Sequence, residues 1–338
     1  YHSRVDKFNI VDATPYGRDV MYELANACAR HGIKFGLYYS QDLDWSDPDG
    51  GGYTRPHDNC GMSWTNDWDF PDNANKNYTL CYERKIKPQV KEILTQYGDL
   101  CLIWFDTPQT ISPEQSRELY DLVKTYQPNC LVNSRIGNGM GDYASMGDNQ
   151  VPGAKKNRDM LYETAATLND TWGYKSYDQN WKTPEEVISL LTRLASRNVN
   201  YLLNIGPDHL GRIPAGAQRV LRAVGEWMKV NAEAVYATEP SPYSVDLTSG
   251  PVTEKGDSLY FFVNEPGREL LIPGVLTRVE SAEVLGVGQA AFAQEGALVR
   301  VELPDLTGKI IPVVKLTAQG GVNVDEGLIE LPGFGFLL

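Results

Sequence analysis

The sequence predicts an α/β protein: a (β/α)8-like barrel followed by a C-terminal antiparallel β-sandwich. Three observations carry that prediction. Short, nearly continuous apolar strands alternate with amphipathic helices, the pattern of a parallel sheet covered on both faces. Polar side chains gather at strand C-termini (Tyr39 and Ser40, Asp106, Asn133 and Arg135, Asn204), and in a barrel those ends converge on one rim. After about Thr238 the texture changes to short alternating strands punctuated by Gly and Pro. A doubly wound sheet would also put ligands at strand C-ends, but no G-x-G-x-x-G follows the first strand and no phosphate loop appears, which favours the barrel.

The elements follow in order. A helix from Arg18 to His31 closes at Gly32, and "IKFGLYYS" (Ile33–Ser40) reads as a buried strand. The loop from Gln41 to Asn77, crowded with Asp, Gly, Pro, Asn and Trp, is too long for a simple connection, and loops of that length are usually functional. A helix from about Leu80 to Tyr97 leads into the strand "LCLIWFD", which ends on the bare carboxylate Asp106. Ser112 as N-cap and Pro113 in the first turn open a helix to about Tyr126. "CLVNSR" (Cys130–Arg135) is the next strand, then a Gly-rich loop (Ile136–Pro152) and a weaker strand near Leu161 to Ala165. Thr183 caps a helix from Pro184 to about Asn198, "YLLNIGP" (Tyr201–Pro207) is the last strand of the series, and a helix from Ala215 to Asn231 follows. This gives a barrel domain over residues 1–238 and a sandwich over 239–338, whose strands include "SLYFFVNE", "ALVRVELP", "IIPVVKLTA" and "GLIELPG".

Bulk properties narrow the function. The 338 residues carry a net charge of −13, so a nucleic acid is not an expected partner. No apolar run approaches the roughly 18 residues of a membrane span. Five dispersed cysteines without a C-x-x-C pair argue against a disulfide scaffold or zinc knuckle, and four histidines without ligand spacing argue against a histidine-built metal site. No metal or organic cofactor is expected.

Asp106 has three readings: a cap for the following helix, for which Ser112 is better placed; a solvated loop charge; or a catalytic carboxylate on a barrel rim. Trp104 shares its strand face with Asp106 at i, i+2, and an indole beside a carboxylate is suited to stacking on the C–H groups of a sugar ring. Arg135, ending the next strand, is expected beside Asp106, where a guanidinium favours a charged carboxylate and donates to hydroxyls; a structural ion pair is the alternative. Glycosidic chemistry needs a second carboxyl, and Asp142, Asp148 and Glu163 are the candidates. Glu163 lies in an apolar and aromatic stretch suited to a working acid, and Asp148, in a Gly-rich loop, is the fallback.

At this point the sequence resembles glycoside hydrolase family 29, the α-L-fucosidases. The matching stretches are "VDKFNIVDATPYGRDV", "IKFGLYYSQDLDW", "LIWFD", "NSRIGNGMGDYASMGDNQVP", "YETAATLNDTWGYK", "NYLLNIGP" with "GRIP", and "VGEWMKVNAEAVYAT", in order from Val5 to Thr238. The resemblance implies a retaining, exo-acting hydrolase of terminal α-L-fucosyl residues on oligosaccharides or glycoconjugates. By motif position Asp106 is its nucleophile, Glu163 its acid/base, and Tyr39, Trp104 and Arg135 its fucose contacts. Where some members read W-E-T, this chain has Tyr162 before Glu163, and the family's acid/base shifts between positions, which keeps Asp148 in play. The family's His-His-Asp-Gly-Phe stretch, whose histidines bind fucose hydroxyls, is expected immediately before Tyr1, as are the first strands of the barrel; only about five strand–helix units are found. A chain incomplete at its N-terminus and inactive as it stands is the expectation. Two rivals remain: another retaining barrel glycosidase, and a non-catalytic carbohydrate-binding relative.

Overall fold

The computed structural model describes residues 1–50, 66, 68–72, 74–153 and 159–325. Contacts divide the chain into two compact units, Tyr1–Ser145 and Met146–Leu338.

The first unit opens with α1 (Val20–Arg30), capped by the Asp19 carboxylate, which accepts from the Met21 and Tyr22 amides. Strand β1 (Gly36–Ser40) follows, then α2 (Tyr78–Cys81), a π-helical turn over Tyr82–Ile86, and α3 (Lys87–Gln96). Strand β2 (Leu102–Asp106) runs parallel to β1, with Tyr38 opposite Trp104 and Ser40 opposite Asp106. At Gly36 a Cβ would lie 2.9 Å from both the Leu102 carbonyl oxygen and its Cγ, so the two strands meet this closely only with glycine there. Helix α4 (Pro113–Tyr126) starts as the sequence predicts, on a Ser112 capping box completed by Gln115. The Ile103 and Phe105 side chains of β2 enter a core with Leu94 of α3 and with Leu119 and Val123 of α4.

The strand expected over Cys130–Arg135 is shorter. Only Leu131–Val132 (β3) pairs with β2; the chain then turns through a 3-10 segment, Ser134–Ile136, which carries Arg135. The reason is at Asn133. Its side-chain amide accepts from the Phe105 N–H and donates to the Phe105 carbonyl, both at 2.9 Å. A side chain thus makes the next rung of the ladder, and the main chain is free to leave. Strand β4 (Tyr143–Ser145) ends the unit.

In the second unit β5 (Leu161–Thr167) pairs in parallel with β6 (Asn200–Asn204), separated by α5 (Pro184–Ala195), whose Thr183 capping box is again complete. Helix α6 (Ala215–Asn231) spans the predicted residues. Next come β7 (Glu239–Pro240), β8 (Val252–Lys255), β9 (Ser258–Phe262), β10 (Glu269–Ile272), β11 (Ser281–Val284), β12 (Gly288–Gln289), β13 (Phe292–Glu295), β14 (Leu298–Glu302) and β15 (Val313–Thr317). They form a six-stranded antiparallel sheet, β12-β11-β15-β9-β8-β7, and a three-stranded one, β10-β14-β13. Leu259, Phe261, Val314 and Leu316 from the first pack with Leu270, Ile272, Val299 and Val301 from the second, so the two sheets close on one core. A separate core joins the other face of β9, through Tyr260 and Phe262, to Ile188 of α5 and Trp227 of α6. The expected strand in "GLIELPG" lies outside the described residues. Among the described residues no helix is long and apolar enough to cross a membrane.

Candidate active site

The C-terminal end of β2 assembles a cluster from three elements of the first unit. Asp106 leaves the strand with its side chain 19% exposed, reachable but sheltered. Arg135 Nη1 lies 3.2 Å from its Oδ1, and the Tyr38 hydroxyl donates to its Oδ2 at 2.9 Å. Both donors also touch Trp104. Tyr38 stacks on the indole with ring centroids 5.7 Å apart, and the Arg135 guanidinium sits 4.6 Å from the ring centre. Trp104 is therefore buried under a polar cover. Tyr38 is 58% exposed, but its hydroxyl is desolvated where it meets Asp106, and that loss of water, then the Asp106 charge, raises its ionisation well above the ordinary value.

Tyr39, expected in the wall of this site, is corrected by the register. In β1 it stands opposite Phe105, packs against the core and donates its hydroxyl to Gln89 Oε1 at 2.8 Å. Tyr38, one residue earlier, is opposite Trp104 and takes the site face. Successive strand residues point to opposite faces, so a one-residue choice decides the matter. The signal was available: if Ser40 ends β1 as Asp106 ends β2, the residue two before Ser40 matches the one two before Asp106.

The backbone around Asp106 is held from β1's far side. Gln41 is fully buried; its Oε1 accepts from the Asp106 N–H at 2.9 Å, and its Nε2 donates to the Arg135 carbonyl at 3.0 Å. Asp42, also fully buried, takes the amides of Gln109, Thr110 and Ile111 on one carboxylate oxygen, fixing the loop after β2. Burial pushes this carboxyl up, against the three amides that favour its charge. In the sequence both residues open the long loop and close no element, and they lie inside the matching stretch "IKFGLYYSQDLDW" without a role of their own.

Asp142 proves structural. Its oxygens accept from Tyr120 at 2.6 Å and from Lys124 and the Val132 N–H at 2.7 Å each. Against the cost of burial, those partners hold its carboxyl below the usual range. Glu163 and Asp148 belong to the second unit. Glu163 is buried, only 8% exposed, on β5 opposite Asn200. Asp148 is exposed, on a loop tied to β5 by its neighbour: the Asn149 N–H donates to the Ala165 carbonyl, and Asn149 Oδ1 accepts the Thr167 N–H at 3.0 Å. Among the described residues no group of three or more His, Cys, Asp or Glu gathers as a metal site.

A family model described as α-L-fucosidase matches residues 1–233. The chain is similar to the solved α-L-fucosidase of Vibrio sp. strain EJY3, with 31% identity over 96% of this chain and 58% of that one, at a TM-score of 0.84. It is also similar to the α-L-fucosidase AlfC of Lactobacillus casei, solved in complex with α-L-fucose product: 52% identity, 68% of this chain, 70% of that one, TM-score 0.64. An α-L-fucosidase of Branchiostoma floridae is 27% identical over 90% of this chain and 67% of its own length. Across the first curated relatives, the chain spans between 48% and 67% of their length. Matched over most of its residues by that family model, and built like the solved members, the chain belongs to the α-L-fucosidase family.

Proposed function

We propose that this chain carries the catalytic residues of a retaining, exo-acting α-L-fucosidase, with residues 1–238 as the catalytic domain of an eightfold barrel and 239–338 as an accessory sandwich. The observation that carries this reading is the Asp106 carboxylate at a parallel strand's C-end, with Arg135 on one oxygen and Tyr38 on the other. Among the described residues each oxygen accepts one hydrogen bond, which leaves lone pairs on both for an electrophilic carbon. Asp106 attacks the anomeric carbon of a fucosyl residue while Glu163 gives its proton to the departing glycosidic oxygen. The Asp106–fucosyl ester is then opened by a water that Glu163 deprotonates, with net retention. Asp148 is the alternative proton donor. Trp104, under the guanidinium, supports the sugar-facing side chains. The relative solved with α-L-fucose product supports fucose as the sugar.

Two variants of the full-length protein test the reading. Asp106→Gly is expected to lose turnover of aryl α-L-fucosides by about 1,000-fold or more and to recover part of it with azide as external nucleophile. A rate within about tenfold of wild type removes Asp106 from the role. Glu163→Ala is expected to hurt substrates with poor leaving groups far more than activated aryl fucosides, because only the former need protonation. If that selective loss appears in Asp148→Ala instead, the acid is Asp148.

A further inference from the structure

We infer that Gln41 is a positioning residue that sets the placement of Arg135 against Asp106. This rests on the reading of Asp106 as nucleophile and extends it to a residue that touches neither the carboxylate nor the sugar.

The β2–β3 ladder ends at Ile103 and Val132, before the strand reaches its functional end. Past that point the Asn133 side chain makes one rung, to Phe105. Gln41 makes the next link and spans further. Its Oε1 accepts the Asp106 N–H at 2.9 Å, while its Nε2 donates to the carbonyls of Arg135 at 3.0 Å and Ile136 at 3.4 Å. One planar amide therefore fixes both ends of the 3.2 Å ion pair through their main chains. Gln41 is itself fixed. It directly follows β1, its carbonyl accepts the hydroxyl of buried Tyr78 at 2.8 Å, and its side chain is wholly buried. A glutamine is suited to this task because it offers one acceptor and a two-hydrogen donor without charge. Misplacement of a reacting group by about 1 Å can cost on the order of 100-fold in rate, so a brace at this point acts on the chemistry and not on binding alone.

The test is a double-mutant cycle in the full-length protein with an aryl α-L-fucoside. Gln41→Met keeps length and neutrality and removes all three side-chain hydrogen bonds. It is expected to lower kcat by about 10- to 100-fold with KM within about threefold of wild type. In an Arg135→Met background the same substitution is expected to cost at least about threefold less than it does in the wild type, because the guanidinium at one end of the brace is gone. Additive losses in the cycle, or a fall in melting temperature with kcat unchanged, overturn the inference. If Gln41→Met does not accumulate folded, Gln41→Glu, which keeps the acceptor for the Asp106 N–H, enters the same cycle. Asp106→Gly separates the two levels: azide-rescued loss there with wild-type kinetics in Gln41→Met sinks the inference alone. Retained activity in Asp106→Gly sinks the reading and the inference with it.

Discussion

Strands β2 and β9 are each five residues long, and each sends alternate side chains into the core of its own unit, Ile103 and Phe105 in one and Leu259 and Phe261 in the other. Their second faces differ. On β9, Tyr260 and Phe262 pack with Ile188 of α5 and Trp227 of α6, and the polar groups of that face are already paired: the Ser258 hydroxyl with Thr317 and the Tyr260 hydroxyl with Glu233, each at 3.0 Å, with Lys315 Nζ 5.5 Å from the Tyr260 ring centre. On β2, Trp104 and Asp106 are covered by a phenol and a guanidinium. A strand whose second face is closed over, with Tyr260 and Phe262 at most 2% exposed, is committed to holding the fold. A strand whose second face ends in a part-exposed carboxylate beside a phenol that is 58% exposed keeps that face within reach of a ligand.

The comparison breaks most visibly by exchanging readouts. Phe261→Ala, in a side chain 1% exposed, is expected to cost about 3–5 kcal/mol of stability and leave kcat of the folded fraction unchanged. Asp106→Gly is expected to do the reverse, keeping most of the stability while abolishing turnover. Urea unfolding beside steady-state kinetics on both variants settles it; a Phe261→Ala enzyme that folds normally but turns over slowly would dissolve the distinction. A smaller effect divides adjacent residues within β1. Tyr38→Phe removes a hydrogen bond to a charged acceptor, so kcat/KM is expected to fall about 10- to 100-fold. Tyr39→Phe removes one to Gln89 and is expected to cost about 1 kcal/mol of stability with unchanged kinetics.

The smallest effect is a pH dependence at Asp142. Its folded carboxyl is held below the usual range, so its contribution is fully present above the unfolded value of about 3.9 and is lost as pH falls through the folded one. Asp142→Asn is expected to lack that component. The gap between wild-type and variant urea midpoints should therefore narrow from pH 5 to pH 3. A constant gap would mean Asp142 acts by shape and not by charge.

Helix starts were legible because caps are local chemistry: Ser112 and Thr183 each announce a first turn that needs an acceptor, and Pro follows where no N–H is required. Asp106 was legible because a carboxylate at the end of an apolar strand has no packing reason to be there. Tyr38 was legible only by aligning the ends of β1 and β2, because the choice between neighbouring tyrosines depends on a register with a strand more than sixty residues away. Gln41 and Asn133 were hidden for a related reason. Both do backbone work with side chains, and an amide that substitutes for a peptide group leaves no periodicity to read.

Asn133 carries a consequence for sequence tolerance. By presenting a C=O and an N–H side by side to Phe105, it forges one peptide group at the point where the real chain departs. Aspartate copies the acceptor but has no donor, leucine copies the shape alone, and glutamine holds the same two atoms one carbon too far out. Of these side chains only asparagine has both the reach and the paired donor and acceptor of the missing rung, so each of the other three would leave a Phe105 main-chain group without its partner.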